Sequence, residues 1–591
     1  MTTTDEKAAR DGGAGRPPAR PPGWGRALRR YGPVAAVVAL VAGAVVVFGG
    51  GGGDGDGGDG EGTADAGIPS TEELIRSGPM TPQRAELEGI DLDEIDWGPT
   101  CDTERMQLAL PMRLVPPCVE RFEGDNGGAT AQGVTEDEVK IVYYSTDPAL
   151  DPLGAATIGE IGADVDPETA QQTVDAYVDL YNRYFETYGR RVVVERFVGS
   201  GASDDTEAAR ADALAIAEME PFAVIGGPAQ AAHVFGPAIA SQGIVCGPGC
   251  SGAAPEEGIE EHAPYMWTAG PTPDQAAALA AEMVAKLAGP GPAELAGDPA
   301  LREQDRVYGL LHYDTPEGDH RPVFEALRDA LAEQGIELAT DVEYNLDIAR
   351  SQENARTIVT RLREAGVTTV IFYGDPLTPG AVTQEATAQG WFPEWILGPN
   401  VLADTTIFAR GYDGQQWRNG FGMALNTARA EREAMDAFRV YEWAYGEPPP
   451  NNTVRVIEPP VRTIFAGIHM AGPELTPETF RDGLLRMPPM GGGPTVAQVS
   501  RGDHGVWPEF DWGGADDMAL LWWDPEATGE DEVGNEGVGM YRYANGGQRY
   551  TLGNLPTSLE EAGLFDVESS VTVYDELPED DQVPDYPPPD L

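Results

Sequence analysis

"SQENARTIVTRLREAGVTTVIFYG", residues 351–374, contains one full step of the alternation that decides the fold. Ser351 reads as a helix N-cap, Ile358, Val359 and Leu362 fall on one helical face, and Gly366 closes the helix before the β-branched run "TTVIFYG". The same order continues on both sides. Upstream, "RVYGLLHY" (306–313) reads as a strand, followed by a helix through Val323, Leu327 and Leu331 that ends at Gly335, then the strand "GIELATDVEY". Further upstream, "VKIVYY" (139–144), "RVVVERFV" (191–198), "FAVIGG" (222–227) and "GIVCG" (243–247) are strands separated by helical segments, one of which puts Val174, Tyr177, Tyr181, Phe185 and Tyr188 on a single face. Repeated β-α order predicts an α/β protein whose parallel sheets are covered on both faces, the doubly wound class. Two such runs, 133 to about 270 and 271 to about 424, predict two lobes. Ligands of such sheets lie beyond the carboxyl ends of the strands. The loops to watch are "STDPALDPLG", "GGPAQ", "GPGCS", "YDTPEGD", "GDPLTPG" and "GPNVLADTT".

Composition narrows the classes. The chain has 591 residues, 41% of them hydrophobic, and a formal net charge of -59. That is long enough for at least two domains, and such a surface repels phosphate backbones, which argues against a nucleic-acid partner. The four cysteines are Cys101, Cys118, Cys246 and Cys250. In an exported chain, Cys101 with Cys118 and Cys246 with Cys250 is the simplest of three possible connectivities. "CGPGC" departs from the redox C-x-x-C spacing, and neither pair shows a zinc-ligand spacing, so no metal site is expected.

Tyr31–Phe48 is an apolar run of eighteen residues preceded by Arg26, Arg29 and Arg30. It suffices for the roughly 30 Å hydrocarbon layer. The positive-inside bias puts residues 1–30 in the cytoplasm and everything after Gly49 outside, with the transmembrane anchor at 31–50. A cleaved signal remains open, although Val45–Phe48 extend the run past the small residues at Ala42 and Ala44. Either way the body is exported. Residues 51–132 read as a Gly/Asp linker followed by an irregular stalk, and 556–591 as an acidic, Pro-rich tail of disordered composition.

"GVTEDEVKIVYY", "FAVIGGPAQAAHVFGPAIASQGIVCGPGCS", "MWTAGPTPDQAAALAAEMV", "VYGLLHYDTPEGD" and "TTVIFYGDPLTPGAVTQEATAQGWFPEWILGPN" occur in the order and spacing of type I periplasmic solute-binding proteins. The branch they resemble is the leucine/isoleucine/valine-binding group, which delivers solutes to ABC importers. The resemblance implies two Rossmann-like lobes joined by three crossovers, with lobe 1 at 133–270 and 425–488 and lobe 2 at 271–424 and 489–555. It also implies hinge closure on a small solute and no cofactor.

The resemblance places the ligand turns as well. The first-lobe turn that holds the ligand carboxylate corresponds to Gly227, Pro228, Ala229 and Gln230, where no hydroxyl remains. The second turn resembles "GPGCS", which assigns that role to Gly249 and Ser251. Across the cleft, Glu317 stands where a Tyr faces the ligand, and Asn400 replaces the acid that takes the ligand ammonium. Exchanging that acid for an amide forfeits a charge-assisted hydrogen bond of about 1.5–3 kcal/mol, which argues against a standard branched-chain amino acid. Glu317 or Asp375 is an alternative acceptor for a cationic group, or else a solvated residue at the rim, and Thr146 lines the cleft. Trp391, Trp395, Trp507, Trp512, Trp522 and Trp523 are expected to pack cores or lobe contacts. No H-E-x-x-H or nucleophile-elbow motif accompanies the six histidines, so a binding protein is expected rather than an enzyme. Two partners remain open, an ABC permease or a signalling membrane protein. The solute is expected to be amino-acid-like or amide-like.

Overall fold

In the computed structural model the described residues are 68–151, 164–252, 254–314, 321–345, 347, 350–398, 402–532 and 534–589. The apolar run at 31–50, Glu317 and Asn400 lie outside them. Among the described residues no helix is long and apolar enough to cross a membrane.

The runs read from the sequence form seven of the parallel strands, and Glu394–Leu397 and Phe421–Ala424 add two that were not expected. In the first lobe these are β1 (Glu138–Ser145), β2 (Arg191–Val198), β3 (Ala223–Ile225) and β4 (Val245–Cys246), all parallel in the order β2-β1-β3-β4. In the second lobe, β5 (Tyr308–Tyr313), β6 (Leu338–Tyr344), β7 (Thr369–Tyr373), β8 (Glu394–Leu397) and β9 (Phe421–Ala424) are parallel in the order β6-β5-β7-β8-β9. That sheet then continues into antiparallel strands β10 (Asp517–Glu530), β11 (Glu536–Tyr543) and β12 (Arg549–Thr551), for eight strands in all. Side chains alternate between two cores along β7. Val370 and Phe372 enter one, Ile371 and Tyr373 the other, as a sheet buried on both faces requires. The first-lobe core joins residues before 268 to Ala437–Met487 and Trp512, so the chain passes between cores near 268–275, 425–435 and 488–516.

Helices α1 (Pro167–Tyr184), α2 (Thr206–Ala217), α3 (Ala232–Ala240), α4 (Pro273–Met283), α5 (Arg321–Glu333), α6 (Ser351–Glu364), α7 (Thr378–Ala388), α8 (Asp436–Tyr445), α9 (Val454–Ala471) and α10 (Pro477–Leu485) cover the sheets. The aromatic face of α1 is buried as its spacing requires. In α6, however, Ser351 is the first helical residue. Arg350 stands at the cap without a side-chain bond, while Ile358, Val359 and Leu362 are buried and Gly366 has φ +73. The six tryptophans named above are all buried.

Both termini of the body depart from the sequence reading. Residues 68–132 do not stand off as a stalk. Leu74, Leu110, Met112, Val115 and Val119 join the first-lobe core, and His469 of α9 donates from Nε2 to the Pro117 carbonyl (3.0 Å) while its Nδ1 accepts from the Glu186 amide (2.8 Å). Burial pushes that imidazole down to about 4, so it is a neutral structural group. The tail is ordered as well: Val573–Tyr574 pairs in parallel with Arg429–Ala430.

The disulfides are Cys101–Cys118 and Cys246–Cys250, with Cα separations of 5.6 and 5.3 Å, matching the pairing read from proximity. Closing the longer of these two loops restricts the unfolded chain by about 3 kcal/mol. A Cys101→Ser/Cys118→Ser chain should therefore unfold at lower urea by about that amount. A midpoint equal to that of the parent would show that packing against the first-lobe core already orders residues 101–118.

Candidate functional site

Strand order fixes where a ligand can sit. In each lobe the order reverses between the first strand and the third, between β1 and β3 and between β5 and β7, and the crevice opens at those carboxyl ends. On the first lobe the crevice is bounded by Thr146, which follows β1 and is half-buried, and by the turn Gly226–Gln230 after β3. Gly226 has φ +71, and a Cβ there would stand 2.8 Å from the Tyr144 carbonyl. A Cβ on Gly227 would stand 2.9 Å from the Gly249 carbonyl, so the two ligand turns pack backbone to backbone and only glycine fits.

The second turn, residues 247–251, is closed by the Cys246–Cys250 bridge and by the Cys250 amide donating to the Gly247 carbonyl at 3.0 Å. Gly249 is exposed at its tip. Ser251 is buried, and its hydroxyl donates to the Trp267 carbonyl at 3.0 Å, bracing the turn from behind. Ala229 and Gln230 are half-buried. Gln230 Nε2 donates to Ser203 Oγ (3.2 Å), and that hydroxyl donates to Asp151 Oδ2 (2.7 Å). The loops after β1, β2 and β3 are thus tied into one surface.

On the second lobe, Asp375 follows β7 and is fully buried. Its carboxylate accepts from Tyr344 Oη (2.6 Å), the Leu377 and Thr378 amides (2.7 and 2.8 Å) and Thr378 Oγ1 (2.6 Å). Four donors fill its lone pairs, so in this arrangement it fixes the first turn of α7 and leaves nothing for a cation. Asp404, on the loop after β8, is buried against Asn426 Nδ2 (3.1 and 3.0 Å). Burial pushes its carboxyl up to about 7; the Glu532 charge adds to the rise and the Asn426 bonds oppose it.

No motif points to Arg455. It lies in the first turn of α9, whose middle meets Gly247 through Ile464 and whose far end reaches Glu186 through His469, so the helix start lies at the strand-end side of the lobe. Arg455 is exposed, and the Tyr543 and Glu532 groups of the second lobe favour its charge while Arg429 opposes it. Among the described residues it has no ion-pair partner. Glu532 itself accepts from the Thr406 and Ile407 amides, both at 2.9 Å. Only folding brings 455 opposite 532 and 543, which is why the linear sequence gave no signal for it. No group of three or more His, Cys, Asp or Glu suited to a metal occurs among the described residues.

Two doubly wound lobes with crevices at their switch points, joined by three chain crossings, define a type I ligand-binding protein of the periplasmic kind. Residues 129–511 match the family described as periplasmic binding protein, and the chain belongs to that family, whose members bind substrates and are not enzymes. No curated protein sequence matches significantly. Among solved structures the chain is similar to a fatty acid ABC transporter substrate-binding protein from Thermomonospora curvata (14% identity, 77% of this chain and 97% of that one, TM-score 0.44). It is also similar to a branched-chain amino acid transporter substrate-binding protein from Streptococcus pneumoniae in complex with isoleucine (13%, 69% and 100%, 0.42). A third is an ABC transporter solute-binding protein from Rhodopseudomonas palustris in complex with p-hydroxybenzoic acid (12%, 70% and 98%, 0.45).

Proposed function

We propose that the chain is the extracytoplasmic solute-binding component of an ABC uptake system of the branched-chain amino acid type, held at the cell membrane by residues 31–50 and closing its lobes on a small polar solute. The observation that carries this reading is the pair of glycine turns at the first-lobe switch point, packed on each other and braced by Ser203, Ser251 and the Cys246–Cys250 bridge. A fixed surface of that kind grips a ligand without first having to be ordered. Thr146, Ala229, Gln230 and Gly249 form that grip and Ser251 supports it from behind; on the opposite lobe Asp375 fixes the turn after β7, and the family resemblance assigns Glu317 and Asn400 to the facing wall. Arg455 takes the anionic end of the solute, a role that the missing hydroxyl at 227–230 leaves open.

The membrane anchor favours a second reading, a ligand-sensing receptor ectodomain that signals through another chain. Permease genes beside this one support uptake, and a neighbouring sensor kinase supports sensing. Binding itself is tested by thermal shift against amino acids, amides, short peptides, polyamines and aromatic acids. A ligand at a hundredfold excess over Kd stabilises by about 2.7 kcal/mol, and a panel without any response counts against both readings. For a carboxylate hit, Arg455→Gln is expected to weaken binding by roughly ten- to a hundredfold, with the unfolding midpoint unchanged because the side chain is exposed. Unchanged affinity removes Arg455 from the site.

A further inference from the structure

Two of the three crossings are stitched together by buried polar groups. The Gly514 amide donates to the Gly270 carbonyl (2.8 Å), Arg501 Nη2 to the Thr268 carbonyl (2.7 Å), and Gln275 Nε2, at the start of α4, to Asp511 Oδ1 (2.6 Å), which also takes the Gly513 amide (2.8 Å). Ser500 Oγ lies 2.8 Å from Asp516 Oδ2 and 3.3 Å from Asp511 Oδ2, and Gln498 Nε2 donates to Asp516 Oδ2 at 3.2 Å. The two carboxyls share the Ser500 hydroxyl, and Asp516 Oδ1 is buried with no hydrogen-bond partner. Asp511 is 1% exposed and Asp516 0%, so they meet out of contact with water, where two like charges repel strongly.

We propose that Asp511 and Asp516 are a proton-operated latch on the hinge: one shared proton locks the first and third crossings together, and its loss frees the lobes to swing. The inference rests on the reading of the lobes as a closing pair. Among the described residues no Arg or Lys lies within ion-pair distance of either acid. Arg501 feels both: burial lowers its pKa, the Asp511 and Asp516 charges oppose that shift, and Arg462 of α9 adds to it. Arg549 is committed to Asp517 at 2.8 Å, and Arg462 to Glu458 at 2.9 Å.

Burial first, then the Asp516 charge, push the Asp511 carboxyl up to about 8. A second acid contact spans the same hinge: the Glu256 amide donates to Asp274 Oδ2 (3.3 Å) and Thr272 Oγ1 donates to Glu256 Oε1 (3.0 Å). Glu256 rises to about 7, through burial first and then through the charges of Asp274, Glu509 and Glu260, with the Thr272 hydroxyl opposing. A carboxyl raised in the folded state keeps a proton that the unfolded chain has already released. Folded stability therefore declines as pH climbs from the ordinary carboxylate range, about 4, to about 8, and is level above that.

The test places dyes on the full chain at Leu214→Cys and Gln352→Cys, exposed positions on α2 and α6, since the four native cysteines are bridged. Inter-lobe energy transfer, without solute, is expected to change in one transition as pH rises from 6 to 9.5. It is expected to be flat in Asp511→Asn, whose amide donates permanently where the carboxyl donates only when protonated. Asp516→Asn is the second variant, with the same expectation, should the first not fold. Flat transfer in the parent, or an unchanged transition in whichever variant folds, overturns the latch. Adding the solute panel separates the two ideas. A solute response with no pH response leaves solute binding standing and removes the latch, whereas a pH response with no solute response keeps the latch and counts against solute binding.

Discussion

Glu394→Ala is expected to lower the stability of the second lobe by about 3–5 kcal/mol, seen as a shift of its urea midpoint. Glu394 is 2% exposed at the start of β8, and Arg306 reaches it with two donors, Nε at 2.8 Å and Nη2 at 3.0 Å. Thr369 Oγ1 (2.6 Å) and the Leu295 amide (2.9 Å) fill the remaining lone pairs. Removing the carboxylate leaves a buried guanidinium unbalanced and a hydroxyl and an amide without acceptors, and each such loss is costly where water cannot enter. The control is the double change Arg306→Met/Glu394→Met, which removes both charges and is expected to recover most of the loss. A single-variant cost below about 1 kcal/mol, or a double variant no better than the single, would show that Arg306 finds water or another acid. If the lobes unfold in separate steps, only the second-lobe step should move, because every partner named here lies between 295 and 394.

The alternation around 351–374 extends to β1–β7, whose apolar runs stay continuous where both faces of a sheet are covered, but it does not reach β8 (EWIL) and β9 (FGMA), which carry little or no β-branched signal. The antiparallel extension was not read. "MALLWW" within β10 is an apolar run with no helix following it, and its partners lie across a hairpin and a further strand, so no local period marks it. Composition misjudges the tail: acid and proline point to disorder, whereas Asp581, Tyr574 and Tyr586 are each held by a specific group elsewhere. At the site, the glycine turns were legible because their backbone constraint is local. The surroundings of Arg455, Asp404 and Asp375 were not, because what decides whether a charge is free, capped or protonated is which distant groups fold against it. Asp375 illustrates this: its place after a strand suggests a ligand contact, whereas Thr378, three residues on, and Tyr344, at the end of β6 two strands away, supply donors that occupy it.

Deleting residues 571–591 is expected to cost on the order of 4 kcal/mol and to lower the unfolding temperature of the first lobe and the hinge together. The segment is a strap. Asp581, 1% exposed, accepts from the Thr495 amide (2.7 Å) and hydroxyl (2.6 Å) in the third crossing, and its approach depends on Gly493, where a Cβ would stand 1.6 Å from Oδ1. Arg113, from the segment ahead of β1, lies 3.9 Å from Asp581 and binds Asp436 at 2.8 Å on the start of α8. Further along, Trp443 Nε1 donates to the Tyr586 carbonyl (2.8 Å) and Tyr586 Oη to Asp102 Oδ2 (2.6 Å), while Val573–Tyr574 lies beside Arg429–Ala430 in the second crossing. One strap therefore touches two crossings and the Cys101–Cys118 region. Asp581→Ala alone should account for about half of the truncation cost, because it removes two charge-assisted bonds at a buried site and keeps the aromatic anchors. Hydrogen exchange at the Thr495 amide gives the direct readout: protection should fall in both variants, and equal protection in the truncated and full chains would show that the crossings hold their geometry without the strap.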